Sequence, residues 1–133
     1  MSEHTPTTMG IDISDQWSTV CVLDTDGEVM EESRFRSTRA GLGRYLEHRA
    51  PMRVVLEVGT HSPWMSRQIE ELGHEVFVAN PRQLRLIYQS DRKCDAVDAE
   101  ALARLGRVDP KLLRPIRHRA ADTQLARAQL RVR

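Results

Sequence analysis

Gly10-Ile11-Asp12-Ile13-Ser14 decides how the rest of the chain is interpreted. It predicts a short strand. Side chains along a strand alternate between faces, so Ile11 and Ile13 share one side and Gly10, Asp12 and Ser14 the other. An ionised carboxylate in so apolar a run needs a partner if it is taken out of water. No lysine or arginine stands within several residues of Asp12. A hard divalent cation, which takes oxygen ligands, would supply that partner. The alternative is an aspartate at the solvent end of a strand, capping a turn. The choice depends on whether other acids reach the same place.

Outward from this stretch, the chain alternates strand and helix signals. Ser18 to Leu23 is rich in β-formers, Asp24-Thr25-Asp26-Gly27 is a turn, and Val29 to Phe35 returns as a third strand. Together these make an antiparallel meander. Ser37 or Thr38 can cap a helix carrying Leu42, Tyr45 and Leu46 and stopping near Ala50-Pro51. Arg53 to Val58 is a nearly continuous apolar run, as expected of a strand covered on both faces. Thr60 or Ser62 caps the next helix, with Pro63 in its first turn, Trp64, Ile69 and Leu72 inward, and Gly73 at its end. His74 to Ala79 is a fifth strand. Asn80-Pro81 opens a helix through Leu84 and Ile87, a longer one runs from about Asp95 to Gly106, and an irregular stretch leads from Asp109-Pro110 to a last helical segment near Ala120. The order β-β-β-α-β-α-β-α-α, with right-handed crossovers between parallel neighbours, predicts an α/β, ribonuclease-H-like fold on a five-stranded mixed sheet flanked by helices.

Length and composition agree with one globular unit. The chain has 133 residues, 40% apolar and 29% charged. No apolar run approaches membrane-spanning length and no signal-peptide pattern is present, which predicts a cytoplasmic protein with no membrane partner. Cys21 and Cys94 show no metal or redox spacing and read as reduced thiols. The net charge of +1 conceals an asymmetry: from Lys111 to Arg133 seven basic residues face one acid, Asp122, for +6, leaving −5 on the rest. A basic end on an acidic body suits a polyanion, although a solvated helix face would look the same. The expected organisation is a loose polar tail over 1–8, a catalytic-type domain over 9–118, and the start of a truncated helical segment over 119–133, where the apolar stripe of Leu125, Ala128 and Val132 runs to the last residue without a stop signal.

Three further acids stand out. Glu57 sits at the carboxyl end of a strand predicted to be central, where ligand sites of open α/β sheets gather. Asp95 and Asp98, three residues apart, share a helix face. Asp98 stands in register with Ala101, Leu102 and Leu105, which places it on the core-facing stripe, aimed at the sheet. Asp95 also suits a helix start, where the dipole favours an acid by about 0.3–1 kcal/mol. Four carboxylates converging on one place would repel one another. Two divalent ions about 3.5–4 Å apart would relieve this and could activate a nucleophile and stabilise a leaving oxygen at a phosphodiester.

With Gly10-Ile11-Asp12-Ile13-Ser14, Glu57 with Gly59-Thr60, Asn80-Pro81-Arg82-Gln83 and Asp91-Arg92-Lys93-Cys94-Asp95-Ala96-Val97-Asp98-Ala99 in view, the chain resembles the N-terminal domain of the DEDD transposases of the insertion sequence 110 family. The resemblance spans nearly the whole chain and is most specific from Lys93 to Asp98. It implies a RuvC-like ribonuclease-H fold with Asp12, Glu57, Asp95 and Asp98 as catalytic acids and ligands of Mg2+ or Mn2+. It further implies recombination of element ends with target DNA, guided by a structured bridge RNA, in a full-length homo-oligomer that continues through a coiled coil into a serine-bearing domain. On that basis the chain alone is expected to bind metal without recombining DNA.

Arg82, Arg85, Arg92 and Lys93 flank the expected site and suit phosphate contacts, with His61 a weaker candidate. Trp17 and Trp64 read as core or half-buried packing residues rather than base-stacking platforms. Three other functions compete. A stand-alone junction resolvase would share the acids. An actin-like ATP-binding domain would need glycine where Ser14 stands, so that phosphate can approach the backbone. A non-catalytic binding module would leave the acids without metal.

Overall fold

A computed structural model of the chain describes residues 7–80, 98–113 and 115–116. Its strands are β1 (Thr8–Asp12), β2 (Trp17–Leu23), β3 (Val29–Arg36), β4 (Arg53–Glu57) and β5 (Glu75–Ala79). They form one sheet in the order β3-β2-β1-β4-β5. The first three are antiparallel neighbours, whereas β1–β4 and β4–β5 run parallel. Helices α1 (Arg39–Leu46), α2 (Ser62–Glu71) and α3 (Ala99–Val108) flank the sheet, and a 3-10 turn spans Pro110–Leu113. This is the α/β, ribonuclease-H-like arrangement expected from the element order.

The two faces of the sheet carry different side chains because of the period-two alternation. Met9, Ile11, Val20, Val22, Val54 and Leu56 point to the side of α1 and α2, where Leu42, Leu46, Met65 and Ile69 complete the main core. Gly10, Cys21, Leu23 and Val55 point to the side of α3 and meet Ala99, Leu102 and Ala103. On the main-core side Glu31 accepts hydrogen bonds from Arg49, Tyr45 and Ser33, and these donors hold its carboxyl down at about 2. Burial, and after it the hydrogen bond to the Glu31 carboxylate, push the Tyr45 hydroxyl up to about 12.

The helix α3 lies unusually close to β1 because the crossing residues are small. A methyl group on Gly10 would fall 2.1 Å from the Ala99 carbonyl oxygen and 2.6 Å from the Ala103 nitrogen. One on Gly106 would fall 2.3 Å from Val55 Cγ2. Arg53 donates to the Gly106 carbonyl at 2.7 Å, and Arg104 and Arg107 donate to Gly27 and Thr25 in the β2–β3 turn. Hydrogen bonds thus pin the C-terminal half of the helix, and close packing on Gly10 seats its N-terminal half.

Several local expectations are corrected. β1 begins two residues earlier than predicted, and Thr8, expected in the tail, is fully buried in it. The helix capped by Thr38 ends at Leu46 rather than near Ala50, and His48 adopts a left-handed φ of 66° just beyond it. Neither Thr60 nor Ser62 caps α2; His61 holds the cap position, and Ser62 exchanges hydrogen bonds with Gly59 instead. Leu72 is exposed and Met65 takes the expected inner position, because the chain turns away at Gly73 (φ 97°). The predicted helix from Asn80-Pro81, and the last segment from Ala120, lie outside the described residues. Asp98 changes role most. It is the N-cap of α3, exposed, with an extended backbone and a carboxylate accepting from the Ala101 amide at 2.9 Å. The buried stripe is Ala99, Leu102, Ala103 and Gly106, one residue out of phase with the predicted one. The leucines suggested the phase, but close approach to Gly10 favours the small residues.

Candidate active site

β1 and β4 are parallel, so both end at the same edge of the sheet. Their last registered pair is Ile11 with Leu56, and the next residues are Asp12 and Glu57. Gly10 and Val55, a registered pair two residues before each acid and on the α3 side, fix the face on which both acids emerge. Asp12 and Glu57 line one open pocket of about 170 Å³ together with Ser14, Asp15, Gly59 and His61.

The loop that leaves Asp12 is tied down by two buried serines. Ser37 Oγ donates to the Ser14 carbonyl at 2.6 Å and lies 2.7 Å from Ser18 Oγ, while the Ser37 amide donates to the Gln16 carbonyl. On the far wall, Trp64 Nε1 donates to His61 Nδ1 at 3.0 Å. An indole nitrogen only donates, so His61 Nδ1 is the acceptor and its proton sits on Nε2, which faces Asp15 Oδ1 at 3.2 Å.

Asp98 joins the site electrostatically. The Asp12 carboxyl titrates above its ordinary value, first because burial disfavours the anion and second because the Asp98 carboxylate lies nearby. The helix cap therefore brings Asp98 toward Asp12 from above the sheet, by a route different from the core-facing position expected. Asp12 and Glu57 thus share one pocket, and Asp98, which is not among its lining residues, acts on the charge of Asp12 from the α3 cap. Asp95, Arg82, Arg85, Arg92 and Lys93 lie outside the described residues. Among the described residues, no group of three or more His, Cys, Asp or Glu side chains is disposed to hold a metal ion. The donor chemistry nevertheless fits a hard cation: the acids offer carboxylate oxygens, and the Asp12 carboxyl is made reluctant to ionise by burial first and a like-charged neighbour second.

A family model described as a transposase, of the DEDD insertion sequence 110 type, matches residues 9–133. The chain belongs to the DEDD transposases of the insertion sequence 110 family. A comparison with curated proteins finds no match. As a member of this transposase family, the chain is assigned to DNA transposition. No helix among the described residues is long and apolar enough to cross a membrane.

Sequence reasoning missed a feature beside the acids. Trp17, expected as packing, is 37% exposed, and both Arg34 and Arg36 rest over its ring. The signal was present in Arg34-Phe35-Arg36, where one buried aromatic between two arginines fixes both arginines on the opposite face of a strand.

Proposed function

We propose that this transposase domain is the metal-dependent catalytic unit acting on phosphodiester bonds of DNA during insertion-sequence transposition. Asp12, Glu57 and Asp98, completed by Asp95, would hold Mg2+ or Mn2+. The observation that carries this reading is the meeting of Asp12 and Glu57 in one pocket at the carboxyl ends of adjacent parallel strands, with the Asp98 charge close enough to disturb Asp12. A bound divalent ion supplies charge neutralisation and activation of an oxygen nucleophile. The chain's own residues do the rest. The strand pair sets the spacing of two carboxylates, the serine clasp keeps the loop after Asp12 from drifting, and the α3 cap holds a third negative charge in place. His61, with its proton fixed on Nε2 by Trp64, donates toward Asp15 on the pocket wall. DNA, and the bridge RNA implied by the family resemblance, would be the partners, in the cytoplasm, with the homo-oligomer belonging to the full-length protein.

The test is thermal unfolding with increasing Mn2+. A ligand that binds only the folded state raises Tm in a concentration-dependent way. Wild type should show this rise, and Asp12→Asn and Glu57→Gln should lose most of it. A wild type whose Tm ignores Mn2+ and Mg2+ would leave a non-catalytic binding module as the better reading.

A further inference from the structure

The row of the sheet that carries Asp12 and Glu57 continues across β2 and β3, where its character changes from acidic to basic. Asp12 pairs with Thr19, and Thr19 pairs with Arg34. One step toward the same edge, Trp17 pairs with Arg36. Ser18, Val20 and Phe35 are buried on the opposite side, so Trp17, Thr19, Arg34 and Arg36 share the face of Asp12. Further down that face, Cys21 and Leu23 are covered by α3. Trp17, Thr19, Arg34 and Arg36 are all exposed.

The arginines are organised. The Arg34 guanidinium carbon lies 4.2 Å from the centroid of the Trp17 ring, and that of Arg36 lies 5.0 Å away. Neither forms an ion pair among the described residues. Glu32, two residues back on the same face, is the nearest acid along the strand. Charged residues on an edge strand can simply discourage pairing with another sheet. That role needs neither an aromatic support nor two cations sharing it. A guanidinium stacked on an indole is held in place while its N–H groups remain free around its rim, which suits two-point contact with phosphate oxygens.

We propose that Trp17, Arg34 and Arg36 form a clamp for DNA backbone phosphates, holding the strand alongside the acid pocket. The inference rests on the reading of that pocket as the catalytic centre. Two strand spacings separate Arg34 from Asp12 along the row, on the order of 10 Å. A ligand lying across this row meets cations at one end and carboxylates at the other. A polyanion with repeated phosphates satisfies the first directly, and with a divalent ion the second. The clamp touches backbone only, so it orients DNA without reading its sequence.

The experiment is fluorescence anisotropy of labelled DNA, duplex and single-stranded, with the full 133-residue chain over a range of KCl concentrations and calcium ions present. A same-sequence RNA and an Mn2+ unfolding titration are run in parallel. Arg34→Ala/Arg36→Ala should weaken DNA binding about tenfold or more on every sequence tried and lower the slope of log affinity against log salt by about two. Trp17→Ala should weaken binding while leaving the charge count intact. Arg34→Lys/Arg36→Lys should keep most of the salt slope yet recover only part of the affinity. All three sites are exposed, so Tm should change little. DNA binding unchanged in the double alanine variant would overturn the clamp and leave the catalytic reading standing. Arginine-dependent binding of RNA but not DNA would overturn the choice of partner. A wild type that binds no DNA overturns the clamp as well, and its Mn2+ response then decides separately whether the metal reading survives.

Discussion

Asp12 is asked to be an anion in a place that resists one. Burial and the Asp98 charge both raise its pKa, so the folded state holds its proton more tightly than the unfolded chain does. The sign follows from linkage. Its contribution to stability is fully present below the ordinary value of 3.8 and is lost as pH rises through the raised folded value. Without divalent ions, Asp12→Asn should therefore raise Tm at neutral pH, by an amount on the order of a few °C, and the advantage should vanish in acid. Thermal scans of both proteins across pH, with a chelator present, check this. Glu31 behaves oppositely. Its carboxyl, held at about 2 by Arg49, Tyr45 and Ser33, contributes stability above its ordinary value of 4.5 that is lost as pH falls toward 2. Glu31→Gln should cost about 1 kcal/mol at neutral pH and flatten the loss of stability between those values, as followed by urea unfolding at each pH. The acids were legible in the sequence as residues out of place. Their individual environments were not, because hydrogen-bond partners such as Arg49, eighteen residues from Glu31, come from the fold.

At the scale of elements, the seating of α3 on β1 sets the distance between the cap carboxylate and the strand carboxylate. Gly10 has no room for a side chain beneath the Ala99 carbonyl and the Ala103 amide, both of them backbone. Gly10→Ala should therefore destabilise the protein by about 1–3 kcal/mol and weaken its Mn2+ response more than an equally destabilising core change such as Ile69→Val would. Urea unfolding and the Mn2+-dependent Tm shift measure the two effects. Strand and helix order was readable because hydrophobic alternation and Thr38, Pro63 and Gly73 punctuate the chain clearly. The phase of α3 was not. Hydrophobic periodicity pairs Leu102 with Leu105, whereas the buried stripe keeps Leu102 and otherwise selects alanine and glycine for their lack of bulk.

Across the whole molecule, the parallel pairing of β1 with β4 brings residues 45 positions apart to the same rim, and the antiparallel β2–β3 hairpin extends that rim with Trp17, Arg34 and Arg36. The strand order could be inferred from connectivity, and with it the meeting of Asp12 and Glu57. Arg34-Phe35-Arg36 already put two arginines on one face, but their support by Trp17 could not be read, because it depends on the β2–β3 register. The cap of α3 carries one last implication. Asp98 and Asp12 would relax apart if the helix were able to slide, yet the backbone-to-backbone fit at Gly10 forbids sliding. The seating of α3 therefore holds a negative charge near a half-buried carboxyl that burial already disfavours as an anion. A glycine seated under a helix backbone preserves the pocket's appetite for a counter-ion.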